Sequence, residues 1–308
     1  MSGTGTGDQG RRFAGIMPPL ITPLDAAGEP DEAGLRRFVD HAVGGGVTGL
    51  VLLGSSGEAA LLTPAQRRRV LEVALDAAGG RVPVVAGTGE PGTTQAAHTT
   101  RLARELGAAA AIVVPPFYYQ IDQEAVRRHY RTVREHGGLP LLAYHIPGLT
   151  KAPVQPETLL ALAEEGTLEG MKDSGGDFGY YQRAVDGTRR IPHFAALQGS
   201  DAFLLAGLFY GGDGAISVMS QVAPRVMVGL YRAAQEGDWE QARALHRRYQ
   251  RVAAAVGPGW IPALKGALSA LGVCAPHVAP PNAPLSEERL QAQRERILAA
   301  QAEGLFSP

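Results

Sequence analysis

Ala108–Pro116 reads AAAAIVVPP, an uninterrupted apolar stretch that runs into the aromatic residues Phe117, Tyr118 and Tyr119. An apolar run without alternating polar positions is typical of a parallel strand that is covered on both faces. Similar short runs alternate with helical patterns from residue 14 to about residue 236. This alternation predicts a parallel sheet in which a helix follows each strand.

Eight strands are predicted from these runs: Ile16–Leu20, Gly49–Leu53, Val82–Ala86, Ala110–Val114, Pro140–Tyr144, Leu168–Lys172, His193–Leu197 and Ala215–Val218. The helical stretches between them include Glu32–Gly44, Pro64–Ala78, Thr93–Leu106, Gln123–His136 and Pro156–Glu164. Pro64 and Pro156 each stand where a first helical turn tolerates proline. Eight β/α units in about 220 residues predict an α/β fold, a closed (β/α)8 or TIM barrel. An open doubly wound sheet is the alternative.

The pattern after residue 236 is purely helical. The predicted helices are Trp239–Val256, Ile261–Leu271 and Ser286–Glu303, with a Pro-rich stretch at Ala275–Pro284. We therefore expect a barrel over residues 12–236 and a C-terminal helical extension, packed on it, over residues 237–308. Residues 1–11 are Gly-rich and polar and are expected to form a flexible tail rather than a signal peptide.

The composition argues against several classes of protein. The net charge is −1 without a basic stripe, which disfavours partners such as nucleic acid or an anionic membrane. The apolar runs are too short to span a bilayer. A single cysteine, Cys274, excludes an internal disulfide framework and a cysteine-based zinc site. We expect a cytoplasmic globular protein.

Lysine is scarce, and this scarcity narrows the search for amine chemistry. The 29 basic residues are 26 arginines and three lysines, Lys151, Lys172 and Lys265. Arginine stays protonated at working pH, whereas a desolvated lysine can become a neutral nucleophile. Lys151 follows a Pro-containing loop and Lys265 lies in a late helix, so both are expected to be surface charges. Lys172 closes a predicted strand and should project into the barrel mouth.

Polar residues at the carboxyl ends of the predicted strands form the candidate site, because TIM barrels carry their chemistry there. Lys172 is the candidate nucleophile, although a strand-end lysine paired with Asp173 is an alternative. Tyr144, one strand away, is the candidate proton shuttle, or else a core aromatic. Gly54–Gly57 (GSSG) leaves a strand and precedes a helix, so its N–H groups and hydroxyls are suited to an anion, although a simple turn would look alike.

Two motifs do not support other chemistries. Gly87–Gly92 matches G-x-G-x-x-G, but the next strand ends in prolines rather than in an acidic residue, which disfavours dinucleotide binding. The eight histidines are scattered without ligand spacing, so no metal site is predicted. His145 is the one histidine near the candidate site.

Short motifs in order along residues 12–290 resemble the dihydrodipicolinate synthase / N-acetylneuraminate lyase superfamily of Schiff-base-forming class I aldolases. They are GSSGE at 54–58, PFYY at 116–119, YHIPG at 144–148, GMKDSGGD at 170–177, GSD at 199–201 and GAISV at 214–218. The resemblance implies that Lys172 is the Schiff-base lysine and Tyr144 the proton-transfer tyrosine. It also implies that Ser55 and Ser56 hold the substrate carboxylate and relay protons, and that Tyr118 completes the relay across a dimer interface.

The resemblance implies further properties of the protein. The predicted substrate-binding residues are Ser56, Gly57, His145, Leu149, Gly199 and Ile216. The expected partners are a 2-oxo acid (pyruvate) and an aldehyde, the expected assembly is a homotetramer built as a dimer of dimers, and no metal or organic cofactor is expected.

Two positions depart from the pattern of dihydrodipicolinate synthases. Leu149 stands where those enzymes have an arginine that binds the distal carboxylate of the aldehyde, and His145 stands where asparagine is usual. The lysine motif is more similar to 4-hydroxy-2-oxoglutarate and 2-keto-3-deoxy sugar-acid aldolases. We therefore predict a pyruvate-dependent aldolase of that kind.

Several alternatives to this function stay open. They are 4-hydroxy-tetrahydrodipicolinate synthase, a sugar-acid dehydratase or decarboxylase on the same Schiff base, a non-catalytic sensor of 2-oxo acids, and a dinucleotide-dependent oxidoreductase.

Overall fold

The computed structural model describes residues 11–307, which form a TIM barrel with additional C-terminal helices. The strands are β1 Gly15–Met17, β2 Leu50–Leu52, β3 Val84–Gly87, β4 Ala110–Val113, β5 Leu141–His145, β6 Gly170–Asp173, β7 Ala195–Gln198 and β8 Gly214–Ile216. The helices are α1 Glu32–Gly44, α2 Pro64–Ala78, α3 Thr93–Leu106, α4 Gln123–Gly137, α5 Pro147–Thr150, α6 Pro156–Glu164, α7 Phe178–Thr188, α8 Leu204–Tyr210, α9 Pro224–Gln235, α10 Trp239–Val256, α11 Trp260–Ala270 and α12 Glu287–Ala302. Short 3-10 turns occur at Ala59–Leu61, Asp201–Phe203 and Met219–Gln221.

The strands form one parallel sheet that closes on itself. Each strand from β2 to β8 pairs with the next, and β8 pairs with β1. Between β1 and β2 the sheet is closed by a parallel bridge from Pro19 to Val51. Pro18 and Pro19 have no N–H to donate, so β1 ends at Met17 rather than at the predicted Leu20. The predicted barrel is thus confirmed, and the doubly wound sheet is excluded.

The barrel has two apolar cores because side chains alternate across each strand. One core fills the barrel interior with residues such as Met17, Val85, Leu142 and Leu197. The larger core lies between the sheet and the surrounding helices, and includes Phe38, Tyr130 and Phe194. Tyr144 belongs to the interior core, so its strand presents it to the mouth of the barrel.

Helix bounds follow local capping signals closely. The bounds of α1, α2, α3, α6 and α10 agree with the sequence predictions. At the start of α2, Thr63 and Gln66 form a reciprocal capping box before Pro64 at the first position. Helices α5, α7, α8 and α9 lie in segments without predicted bounds.

The C-terminal helices extend the helical layer of the barrel. Helix α10 packs on α9, and α12 packs on α10 and α11. None of the helices between residues 11 and 307 is long and apolar enough to cross a membrane. Of the predicted tail, residues 1–10 lie outside the described part of the chain, while Arg11 pairs with Asp213 at 2.5 Å. The division of the chain at residue 236 stays a prediction.

Candidate active site

Lys172 and Tyr144 meet at the mouth of the barrel. They are register partners on the adjacent strands β6 and β5, so both side chains project from the same face of the sheet. The Nζ of Lys172 lies 3.3 Å from the hydroxyl oxygen of Tyr144 and 4.3 Å from the centroid of its ring. Both residues are buried. The pairing places a primary amine and a phenol within proton-transfer distance of each other.

The phenol of Tyr144 lies in an environment that favours its anion. Burial raises its pKa, but the charge of Lys172 and hydrogen bonds with Ser55, Lys172 and Ser174 outweigh burial, so the pKa lies below its ordinary value. In its anionic form such a phenol is suited to accept a proton from an ammonium group and then to donate that proton to a substrate oxygen. The contact between Ser55 and Tyr144 brings together two predicted catalytic residues.

The GSSG segment forms a tight turn after β2. The N–H of Gly57 donates to the carbonyl of Gly54 at 3.0 Å, and the N–H of Glu58 donates to the carbonyl of Ser55 at 3.2 Å. Leu53 and Glu58, on either side of the turn, have φ values of 58° and 56°, in the left-handed region. Such backbone conformations are held only where surrounding contacts fix them, and they are common at functional sites.

Gly199 and Ile216 lie at the ends of β7 and β8. The N–H of Gly199 donates to the carbonyl of Asp173 at 2.7 Å. A Cβ at position 199 would lie 2.1 Å from the hydroxyl of Ser174, so only glycine fits beside it. Ser174, for which no role is predicted, thereby stays next to Tyr144. Ile216 is fully buried in the interior core.

Asp201 is a further acidic group near the lysine. Its carboxylate accepts hydrogen bonds from the hydroxyl of Ser217 at 2.5 Å and from the N–H of Met219 at 3.1 Å. Burial raises the pKa of Asp201, while these bonds and the charge of Lys172 counteract part of the rise. The sequence assigns no role to Asp201 of the GSD motif, and its proximity to Lys172 is a structural finding.

His145 lies on the opposite face of β5 from Tyr144. Its ring stacks on Tyr180 of α7 with centroids 3.9 Å apart, and its Nδ1 accepts from the N–H of Val154 at 3.3 Å. Burial lowers its pKa to about 4. Strand alternation turns the predicted substrate-binding His145 toward the helices, so it does not line the cavity described next.

A cavity of about 430 Å³ opens beside Tyr144 and Ser55. Its wall is mostly apolar, and its charged residues are Arg67 and Glu90, which pair with each other at 2.5 Å. Leu149 lines the cavity and is 56% exposed. The cavity is lined by Leu53, Gly54, Ser55, Ala59, Ala60, Leu62, Arg67, Gly87, Gly89, Glu90, Pro91, Ile112, Val114, Phe117, Tyr144, Ile146, Leu149 and Thr150.

Tyr118 does not line the cavity of its own chain. Its side chain is 86% exposed and packs edge-on against Tyr119, with ring centroids 5.0 Å apart. Its φ is 84°, in the left-handed region. Within one chain, Tyr118 is therefore not brought together with Lys172 and Tyr144.

The other two lysines occupy different environments. Lys151 is exposed, as predicted, and its Nζ donates to the carbonyl of Gly148 at 2.9 Å. The prediction that Lys265 is a surface charge is wrong: its side chain is 0% exposed and pairs with Glu58 at 2.5 Å. Lys265 is the one charged residue of the otherwise apolar helix α11, a sequence signal for a buried partner.

The G-x-G-x-x-G segment serves the close packing of the barrel. A Cβ at Gly87 would lie 2.0 Å from the carbonyl oxygen of Leu53, and a Cβ at Gly89 would lie 2.5 Å from Val114. Across residues 11–307, His, Cys, Asp and Glu side chains form no group of three or more that is suited to a metal ion.

Comparisons with known proteins match nearly the whole chain to one family. Residues 12–301 match the model of the family described as "Dihydrodipicolinate synthetase family". An uncharacterized DapA-like lyase from Halobacterium salinarum is 41% identical over 271 residues, which cover 88% of each chain. A 4-hydroxy-tetrahydrodipicolinate synthase from Phenylobacterium zucineum is 38% identical over 291 residues, covering 94% of this chain and 96% of the relative.

Solved structures are similar over nearly the whole length. A prophage protein of the dihydrodipicolinic acid synthase family from E. coli K12, in complex with pyruvate, has a TM-score of 0.89 and 30% identity, with 94% of this chain and 99% of the other covered. Dihydrodipicolinate synthase from Aquifex aeolicus has a TM-score of 0.87 and 31% identity, with 96% and 99% covered.

Proposed function

The chain is a carbon–carbon lyase of the dihydrodipicolinate synthetase family, and from that membership we propose that it is a class I aldolase that joins pyruvate, bound as a Schiff base on Lys172, to an aldehyde without a distal carboxylate. The observation that carries the proposal is the buried 3.3 Å contact between Lys172 and Tyr144 beside a cavity. Pyruvate is supported by the complex of the structural relative from E. coli K12. In this proposal the protein resembles a 2-keto-3-deoxy sugar-acid aldolase.

The first stage of the reaction is formation of the iminium. Tyr144, whose pKa is lowered, accepts a proton from Lys172, and the neutral amine attacks C2 of pyruvate. The carboxylate of pyruvate is held by the hydroxyls of Ser55 and Ser56 and by N–H groups of the turn. Proton return through Tyr144 expels the former carbonyl oxygen as water, and the C2 carbon stays joined to Nζ as a cationic iminium.

The second stage forms or breaks the carbon–carbon bond. Tyr144, which gave up its proton when water left, accepts a proton from C3 and converts the iminium to an enamine. The C3 of the enamine then attacks the aldehyde carbon, and the aldehyde oxygen takes that proton from Tyr144. Addition of water to the new iminium releases the 4-hydroxy-2-oxo acid and restores the amine of Lys172. In the direction of cleavage the same steps run in reverse and yield pyruvate and the aldehyde.

The cavity argues for an aldehyde without a second carboxylate. A distal carboxylate needs a cation or several donors when it leaves water. Arg67, the cation of the cavity wall, is already paired with Glu90, and Leu149 offers no donor. An uncharged chain is compatible with the apolar wall, and the pair of Arg67 and Glu90 provides donors and acceptors for hydroxyls. This reasoning favours a sugar-acid aldolase over a 4-hydroxy-2-oxoglutarate aldolase.

A second candidate function is 4-hydroxy-tetrahydrodipicolinate synthase, which is the name of several relatives at 35–38% identity. It would use the same Schiff base but would require Arg67 to leave Glu90 and bind the second carboxylate. A dehydratase or decarboxylase would also use the Schiff base, without an aldehyde. Product identity with several 2-oxo acids separates these candidates.

The decisive experiment is reduction of the protein with borohydride in the presence of pyruvate, followed by intact mass measurement and peptide mapping. We expect one reduced adduct, on Lys172, and none in Lys172→Met. Lys151→Met is the matched control, since it removes an exposed lysine and should leave the adduct intact. Adducts spread over surface amines, or none at Lys172, would overturn the proposal. An adduct without turnover of any aldehyde or sugar acid would instead indicate a sensor.

We include assembly in the proposal. A homotetramer built from tight dimers would bring Tyr118, exposed in the single chain, into the site of a neighbouring subunit. Sedimentation of the purified protein tests the size of the assembly.

A further inference from the structure

A buried ion pair adjoins the turn that contains Ser55 and Ser56. Glu58 follows the turn, and its Oε2 lies 2.5 Å from the Nζ of Lys265 in α11. Both side chains are 0% exposed. The pair therefore joins a loop of the barrel mouth to a C-terminal helix inside the protein.

The second carboxylate oxygen of Glu58 is also bound by C-terminal residues. Its Oε1 accepts from the backbone N–H of Ala279 at 2.8 Å and from the side-chain amide of Asn282 at 3.2 Å. Both donors belong to the Pro-rich segment between α11 and α12. One carboxylate thus makes three contacts, all to residues beyond 260 in the chain.

These contacts fix the backbone of the turn through Glu58. The residue has a left-handed φ of 56°, and its N–H donates to the carbonyl of Ser55. The preceding carbonyl, of Gly57, accepts from the buried hydroxyl of Thr22 at 2.7 Å. Any rotation of the Glu58 backbone would move the Gly57 and Ser56 N–H groups and would change the distance from Ser55 to Tyr144.

Folding stability alone does not account for a buried ion pair at this position. Burial of two charges costs free energy that their attraction offsets only with good geometry, and apolar residues of the same shape are often equally stable. The carboxylate of Glu58 differs from an apolar side chain in the directional hydrogen bonds that its Oε1 accepts from Ala279 and Asn282, and these bonds fix one arrangement of the backbone. A charged residue at position 58 can therefore fix the geometry of the turn, which an apolar residue of the same shape cannot do.

We propose that Glu58 and Lys265 are positioning residues, which hold the Ser55–Gly57 turn in the geometry that binds the carboxylate of the 2-oxo acid. The proposal rests on the proposed function, in which that turn receives the carboxylate of pyruvate. It gives the C-terminal segment a part in substrate binding although none of its residues line the cavity.

The test compares two ketones in the borohydride reaction, one with a carboxylate and one without. The double variant Glu58→Gln/Lys265→Met keeps both shapes and removes both charges, so neither side chain is left as an unpaired ion. We expect its trapping rate with pyruvate to fall about tenfold, the effect of a weakened hydrogen bond to a charged group. The rate with acetone, which has no carboxylate for the turn, should stay within about twofold of wild type.

Two further variants control the test. Arg11→Met removes another ion pair, with Asp213, away from the turn, and should leave the ratio of the two rates unchanged. Asn282→Ala removes one neutral donor to Glu58, so we expect a stably folded protein and a two- to fivefold fall in the ratio, which corresponds to the loss of about 0.5–1 kcal/mol of hydrogen bonding. This milder variant decides the question if the double variant fails to fold.

The outcomes separate this proposal from the proposed function. An equal loss of trapping with both ketones would mean that the pair only supports the barrel, and wild-type rates with both ketones would mean that the turn keeps its geometry without the pair. Either result overturns the positioning role while wild-type trapping on Lys172 leaves the Schiff base in place. Failure of the wild-type protein to form the adduct would overturn the proposed function, and this proposal with it.

Discussion

Tyr144 and Lys172 are register partners on neighbouring parallel strands, and this pairing sets the 3.3 Å distance between phenol and amine. Neither side chain needs a loop to bring it into position, because each extends from the rigid sheet. We therefore expect that removal of the Tyr144 hydroxyl changes the catalytic activity without changing the fold.

Tyr144→Phe removes that hydroxyl and keeps the ring, which belongs to the interior core. We expect kcat to fall about 10²- to 10⁴-fold, the range for loss of a general acid–base group. The melting temperature should stay close to that of wild type. Steady-state kinetics and thermal unfolding measure the two effects, and turnover near the wild-type rate would exclude Tyr144 as the proton shuttle.

Leu149→Arg should change the choice of aldehyde. The new guanidinium would project into the cavity from a position that is 56% exposed and offer a bidentate partner to a distal carboxylate. We expect kcat/KM for a carboxylate-bearing aldehyde to rise about tenfold or more relative to an uncharged one. Leu149→Met is the matched control and should keep the wild-type preference. A wild-type enzyme that already prefers the carboxylated aldehyde would contradict the proposed substrate class.

Tyr118 gives a prediction about assembly. If Tyr118 completes the site of a neighbouring subunit, Tyr118→Phe and Lys172→Met are each inactive, but a mixed dimer contains one site with both residues intact. Mixing the two variants under conditions of subunit exchange should therefore restore activity, up to about one quarter of wild type for random exchange between dimers. No recovery, with exchange confirmed by mass, would place the tyrosine outside the relay between subunits.

Asp173→Asn should stabilise the protein at neutral pH. Burial raises the pKa of Asp173 from 3.8 to about 6, although the N–H of Gly175 donates to its carboxylate. Since the folded protein binds a proton between these values that the unfolded chain does not, the free energy of unfolding falls as the pH rises through that window. Above pH 6 the buried charge costs about 1–3 kcal/mol, and below pH 3.8 it costs nothing.

Denaturant unfolding of wild type and Asp173→Asn at pH 7.5 and near pH 4 measures this cost. The variant should be more stable at the higher pH, and the difference should shrink at the lower one. A difference that is independent of pH would mean that the carboxylate is not the group responsible.

The sequence alone is sufficient to predict those parts of the site that depend on a local pattern of residues. Tyr144 and Lys172 close apolar runs, and the barrel rule places the ends of such runs at one mouth. Strand ends are less well predicted: β5, β6 and β7 each continue one residue further, through His145, Asp173 and Gln198. In these three strands the backbone hydrogen bonds continue past the last apolar residue, because they do not depend on the side chain, whereas β1, β2, β4 and β8 end before the predicted residue.

The remaining features depend on contacts between distant parts of the chain. No spacing rule connects Glu58 with Lys265, and the isolated lysine of an apolar helix indicates only that some partner exists. The orientation of His145 follows from alternation once Tyr144 is placed in the mouth. The pairing of Arg67 with Glu90 requires the packing of α2 against the loop after β3, which periodicity does not specify.

The contacts of Glu58 also determine when, during synthesis of the chain, the carboxylate site can become complete. The carboxylate receives its backbone hydrogen bond from Ala279, 221 residues later in the chain. A nascent chain that has emerged from the ribosome as far as β8 already contains Lys172, Tyr144 and both serines. We expect such a chain to lack a finished carboxylate site until α11 and the segment after it have been synthesised and have folded against the turn. Truncation before residue 260 should therefore leave the reactive amine in place but remove the support of the turn that selects its substrate.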